Sequence, residues 1–202
     1  IPTPAFGSVQ PGDVKYRDLD KNGVVDQNDV TQVGKSPFPE WYFSFGGKIA
    51  WKGFDLEVLF QGAAGMSVNI LDNKNQVVAF VNNGNAYDIA KGAWAYYPAQ
   101  GIDTRATATY PRLTTQSNEN NYQTSSMWVK NADYLKLRNL ELGYNFNARK
   151  LQRAGVDNLR VYLSAQNLLT FSGLLKNYNM DPEKISGYPT IKSYNVGVSI
   201  TF

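Results

Sequence analysis

The sequence predicts an all-β chain: a transmembrane antiparallel β-barrel segment of about five long strands with long outer loops, part of a larger barrel. Three observations carry this. Five segments alternate apolar and polar residues with period two. They run roughly 9–13 residues, beyond the ~5–6 of soluble sheets and near the ~9–11 that cross a membrane at a tilt. The connections alternate in length, as they do in outer-membrane barrels.

The first strand is "YFSFGGKIAW", with Phe43, Phe45, Ile49 and Trp51 on one face and Ser44, Gly46, Lys48 and Ala50 on the other. A turn at Trp51-Lys52-Gly53 leads to "FDLEVLFQG", where Phe54, Leu56, Val58 and Phe60 oppose Asp55, Glu57 and Gln61. The third is "YLKLRNLELGYNF", with Leu140, Leu142, Tyr144 and Phe146 in step. The turn "NARKLQRAGVDN" leads to "LRVYLSAQNLLTF", with Leu159, Val161, Leu163 and Ala165 in step. The fifth is "SYNVGVSITF", where Tyr194, Val196, Val198, Ile200 and Phe202 share a face. The apolar faces are expected to meet lipid, and the polar faces to line the lumen.

With the C-terminus periplasmic, the long connections fall outside the cell. Residues 1–40 form one extracellular loop, 63–133 a second long extracellular loop region, and 172–190 a third. Within the second, "NAYDIAKGAWAYYP" reads as a short helix with Tyr87, Ala90, Trp94 and Tyr97 on one side, stopped by Pro98. "QSNENNYQTSS" reads as a flexible polar excursion.

Composition narrows the chemistry. The 202 residues include no Cys and no His. That excludes disulfides, thiolate metal sites, histidine-ligated zinc and the usual nucleophile–base pairs. The net charge of +3 is too mild to imply nucleic acid as a partner. No apolar run reaches the ~18 residues of a transmembrane helix. A mean hydropathy of −0.39 is compatible with a barrel, whose strands average out their two faces. The chain begins Ile-Pro-Thr-Pro, without initiator Met or signal peptide, so it is expected to be a mature protein or a piece of one.

"DLDKNGVVDQND" has calcium-loop spacing. Asp18, Asp20 and Asn22 stand at positions one, three and five, and Gly23 at six permits a sharp turn. Val24 would offer its carbonyl, Asp26 a carboxylate and Asp29 the closing carboxylate. Calcium is thus the one cofactor the sequence suggests. Asp29 is shorter than the usual Glu, and the flanks do not read as EF-hand helices. The competing reading is a surface turn that binds nothing.

Trp94, Tyr96, Tyr97, Tyr110 and Trp128 fall in the outer loops and are candidates for ligand or partner contact. The strand acids Asp55, Glu57 and Glu141 suggest a lumen lining and Asp181 and Glu183 fall in a loop; none reads as a glycosidase pair, since no cleft motif accompanies them. No enzyme activity is expected.

Several stretches, in order, resemble SusC/RagA-type TonB-linked outer-membrane transporters. "GDVKYRDLDKNGVVDQNDVTQVGKSPFPEWYFSFGGKIAWKGFDLEVLFQGAAG" resembles the family's Asp/Asn/Gly loop followed by a Gly-rich aromatic strand and a "KGFDL…FQG" strand. "WVKNADYLKLRNLELGYNF", "VYLSAQNLLTFS" and "YPTIKSYNVGVSITF" resemble later segments, with Lys192 where the family more often has Arg. The resemblance implies the C-terminal portion of a barrel of roughly 22 strands. It implies import of glycan oligomers or peptides in the cell outer membrane, with a SusD-like surface lipoprotein as partner and TonB engaged through an N-terminal part not in this chain. It also implies that the last strand carries an assembly signal, with Tyr194, Val198 and Phe202 as the candidate residues. The alternative is a soluble secreted carbohydrate-binding β-sandwich with a structural calcium; a glycoside hydrolase is a weaker third reading.

Overall fold

The computed structural model describes residues 2–146 and 155–202. The chain divides into two compact units.

The sheet unit comprises residues 36–66, 132–176 and 180–202. Its strands are β1 (Trp41–Trp51), β2 (Phe54–Ala64), β3 (Tyr134–Phe146), β4 (Asn158–Ser172) and β5 (Ser193–Thr201). They form one antiparallel sheet in the order β5-β4-β3-β2-β1. Among the described residues the sheet does not close, and β1 and β5 are its edges. The expected turn over 147–158 lies mostly outside the described residues.

Local chemistry explains the β1–β2 hairpin. Lys52 (φ 49°) and Gly53 (φ 91°) both adopt left-handed backbone, as a two-residue type I′ turn requires. The register then pairs like with like. Phe45 faces Phe60, Ile49 faces Leu56, and Lys48 faces Glu57. Leu56 continues to Leu142, Leu142 to Leu163, and Leu163 to Val196. Directly opposed residues share a face, so one apolar face crosses all five strands.

A bulge reconciles the two halves of β3. Leu59 pairs with Asn139 but Phe60 with Leu137, so Arg138 is an extra residue. The alternation therefore changes parity there, and Leu135 and Leu137 join the face of Leu140 and Leu142. β4 shifts at the same level, between Gln166 and Leu169, where Asn167 has φ 52°.

The second unit comprises residues 1–35, 67–131 and 177–179. Short strands Ser67–Asn69 and Val129–Asn131 pair antiparallel. Its core holds Ile70, Leu71, Val77, Tyr110 and Trp128. Tyr110 and Tyr122 each lie 5.7 Å from the Trp128 ring, Tyr110 edge-on and Tyr122 stacked.

Three expectations are corrected here. Residues 85–98 do not form the expected helix; a 3₁₀ turn, Asp88–Gly92, and a short strand, Tyr96–Tyr97, stand there instead. The chain then extends because the Trp94 N–H bonds the Tyr110 carbonyl at 2.9 Å, while the Gly92 carbonyl accepts from Thr109 and Tyr110. The polar run 116–126 is not an excursion. Asn120 and Asn121 are fully buried, because their amides satisfy backbone groups of another segment. Tyr110 and Trp128 are 2% and 1% exposed, so neither offers a ring to a ligand.

Candidate functional site

The polar face of the sheet carries two ion networks. In the first, Arg160 on β4 bonds Asp55 on β2 and, at 2.7 Å, Glu141 on β3. Asn145 donates to Asp55 at 2.8 Å. Gly143 lies directly opposite Asp55. A Cβ there would stand 2.5 Å from Arg160 Nη2 and 2.6 Å from Asp55 Oδ2, so the missing side chain is what lets the pair close.

In the second network, Lys136 on β3 is 1% exposed. It bonds Asp181 at 2.8 Å and Glu183 at 2.6 Å. Arg138, the bulge residue, bonds Glu183 as well as Gln61 and Asn167. Tyr134 donates to Glu183 at 2.8 Å. Asp181 also accepts from the Glu183 and Thr190 N–H groups, both at 3.0 Å. Burial acts to raise both loop carboxyls, but these hydrogen bonds outweigh it and hold Asp181 and Glu183 below the usual carboxylate range. Asp55, Glu141, Asp181 and Glu183 are thus each paired to a cation. That arrangement pins strands and a loop together; it is not a free acid–base pair.

In the other unit, the Asp18–Asp29 loop folds back on itself. One carboxylate oxygen each of Asp18, Asp20 and Asp29 lies within 4.8 Å of the others. Asp29 accepts from Leu19 at 2.5 Å and Asp26 at 2.9 Å, which ties the end of the loop to its start. Those backbone bonds, from Asp26 first and Leu19 second, hold the Asp29 carboxyl below its usual value. Asp18 accepts from Lys21 and Gly23, and the φ of 86° at Gly23 makes the sharp bend. The Gly23 and Val25 carbonyls accept from Thr3 and Ala5. Since carbonyls alternate along a strand, that of Val24 points to the opposite side. Asn22 and Asp26 turn a side-chain oxygen to Val24 and Asn28 N–H groups, each at 2.7 Å. Asp26 is outside the converging carboxylate group. Three hard oxygen donors, all carboxylates, suit a calcium-sized ion.

The outer aromatics separate. Arg105 covers the Tyr96 ring at 3.7 Å, held by a two-pronged bond to Asp103. Tyr97 is exposed, and Trp94 is half-buried over Gly12. Tyr194 and Val198 are exposed on the apolar face at the β5 edge, and Phe202, just beyond the strand, is exposed as well.

The sequence reading missed the hub around Asp13, whose side chain is 1% exposed. It takes bonds from Arg112 (2.7 Å), Asn118 (3.0 Å) and Asn121 (2.8 Å). Asn121 in turn accepts from Val14 through its side chain and from Trp128 through its carbonyl, both at 2.8 Å. Burial pushes the nearby Tyr16 hydroxyl up to about 12, so it stays a donor, bonding the Asn120 carbonyl at 2.5 Å. An Asn-rich run gives no periodic signal that would reveal such burial.

Among the described residues the long strands thus form a single antiparallel sheet with one apolar and one ion-paired face. No family model matches the chain. TonB-dependent receptor P3 of Formosa agariphila is 27% identical over 97% of this chain and 20% of its own length. TonB-dependent receptor SusC of Bacteroides thetaiotaomicron is 27% identical over 96% of this chain and 18% of its own. The structure of the RagAB peptide transporter matches with a TM-score of 0.68 and 26% identity, covering 95% of this chain and 20% of that one. The chain therefore spans about a fifth of the length of the curated relatives it matches. Over nearly its whole length it is similar to TonB-dependent receptors of the SusC/RagA kind, as the motifs indicated. These relatives are receptors and transporters rather than enzymes, and TonB-dependent receptors are outer-membrane proteins.

Proposed function

We propose that the chain is the C-terminal wall portion of an outer-membrane TonB-dependent transporter. The whole protein would import glycan oligomers or peptides beneath a SusD-like surface lipoprotein, with TonB engaged through parts beyond this chain. The observation that carries the reading is the two-faced sheet. Phe45, Ile49, Leu163 and Val196 are all exposed on one face, while Asp55, Glu141 and Arg160 pair on the other. Leaving so much contiguous apolar surface in water is unfavourable, and the bilayer is the solvent that suits it. A membrane also tolerates no open sheet edge, so β1 and β5 would pair with further strands of the full barrel.

In this reading 1–40 and 63–133 are extracellular, and calcium bound by Asp18, Asp20 and Asp29, with the Val24 carbonyl, stiffens the first of them. Peptide stays in view as cargo because the similar RagAB structure is that of a peptide transporter. The soluble-sandwich alternative is not favoured: the five strands lie in one sheet rather than two facing ones. The test is fractionation of the full-length protein. Recovery in the carbonate-resistant outer-membrane fraction is expected; recovery as a detergent-free soluble protein would overturn the reading.

A further inference from the structure

Residues of the loop unit enclose a cavity of about 490 Å³ that none of the roles above uses. Phe80, Tyr87, Ile89, Leu113 and Tyr178 line it. Its size is that of a small-ligand site. Asp88 and Lys91 also line it and pair with each other at 2.5 Å, so they cancel.

Phe80 is the unusual member. Its φ is 63°, a left-handed backbone that is a genuine outlier for a bulky residue. The other non-glycine residues with positive φ among those described are Asn and Lys. The surroundings enforce this conformation from both sides. Just before it, the buried Tyr110 hydroxyl donates to the Val77 carbonyl at 2.7 Å and accepts from Ala79 at 3.1 Å. Just after it, the Phe80 N–H reaches Asn85 at 3.3 Å and the Asn82 N–H reaches Thr115 at 3.1 Å. The ring so held is not buried: Phe80 is 42% exposed and Tyr87 47%. Strain that serves no burial and fixes an exposed aromatic ring at a cavity is the mark of a preorganised contact. Asn179, at the far wall beside Tyr178, is also left-handed, with φ 55°.

We propose that this cavity takes an apolar or aromatic side chain of a peptide. Apart from the rings, the lining is mostly apolar, from Ile89, Leu113, Ala86 and Ala90, with Gln76 and Asn179 as the uncharged polar members. A sugar, with hydroxyls all round, would leave most of them against apolar wall uncompensated, whereas an apolar or aromatic side chain packs on that wall and leaves the two amides for the peptide backbone. The claim that such a peptide is cargo rests on the transport reading; the binding site itself does not.

The test uses the full-length protein in detergent, with N-acetyl-L-phenylalaninamide as probe and maltotriose as comparison, titrated by saturation-transfer NMR. Saturable binding of the amide is expected. Phe80→Gly and Leu113→Asp should each weaken it at least tenfold. Phe80→Gly should leave the melting temperature undiminished, because glycine adopts the left-handed backbone freely. Absence of saturable amide binding, equal affinity in wild type and Phe80→Gly, or maltotriose binding lost in the variants would each overturn the proposal. Fractionation of the same protein reports separately on the transport reading.

Discussion

Lys136 and Asp181 meet at 2.8 Å on the polar face of the sheet, with the lysine side chain 1% exposed and the aspartate 9%. They are 45 residues apart in sequence. The contact joins the 180–190 connection to the start of β3, and Glu183 doubles it. Lys136→Met strands the two carboxylates without their ammonium. Asp181 keeps two backbone N–H donors, so the expected loss is about 3 kcal/mol, the low end for breaking a buried pair. Chemical denaturation in detergent measures it.

The same network has a pH signature. The Asp181 and Glu183 carboxyls are held below their ordinary values of 3.8 and 4.5. Groups with depressed folded values add stability above their unfolded values and lose it as pH falls through the folded ones. Docking of the 180–190 connection should be constant above about pH 5 and weaken below about pH 4. Proteolysis within 184–189 at a series of pH values reads this, and Lys136→Met should flatten the profile.

Asn121 is expected to matter more than its neighbour Asn118. Asn121→Ala leaves the Val14 N–H without an acceptor and removes a donor from buried Asp13. The cost is about 2–4 kcal/mol. Asn118→Ala, half-buried, removes a donor from Asp13 and an acceptor from the Asn121 N–H, at about 1 kcal/mol. Thermal melting of the two variants tests the order.

The Asp-rich loop should bind calcium with a dissociation constant of roughly 10⁻⁴–10⁻³ M. Calorimetric titration of wild type and Asp20→Ala is the check. Heat in the wild type alone supports the site; equal heats in both, or none in either, removes it.

Assembly should depend on the apolar face of β5. Replacing Tyr194, Val198 and Phe202 with Ser is expected to block outer-membrane insertion of the full-length protein while calcium binding survives. Surface labelling of a tag at the exposed Gly101 turn decides, and normal display of the triple variant would sink the role.

Much of the sheet was legible because period-two alternation depends only on neighbouring residues. β1 and β2 read directly from the Phe43–Trp51 and Phe54–Phe60 patterns. The bulge at Arg138 did not, because an extra residue looks like broken alternation until the partner strand is known. The Asp18–Asp29 loop was legible since its turns are local. Tyr110 and Trp128 were misread because loop sequence does not show which aromatics fold inward; their burial depends on Val77 and, through the nearby Asn121, on Asp13, both far away in the chain. Phe80 gave no signal at all, since its backbone is set by Tyr110.

The central claim is that one face of the sheet meets lipid. This chain has no cysteine to compete, so single cysteines can be placed at Phe43, Phe45, Leu56, Val58, Leu142, Val161 and Val198, and at Ser44, Lys48, Glu57 and Ser199. In the full-length protein in bilayers, a lipid-phase thiol probe should mark only the first set. Val58→Arg, on that face, should cost about 2–4 kcal/mol if it lies at the midplane. Labelling confined to the apolar set is the predicted result; equal labelling of both sets would contradict the account.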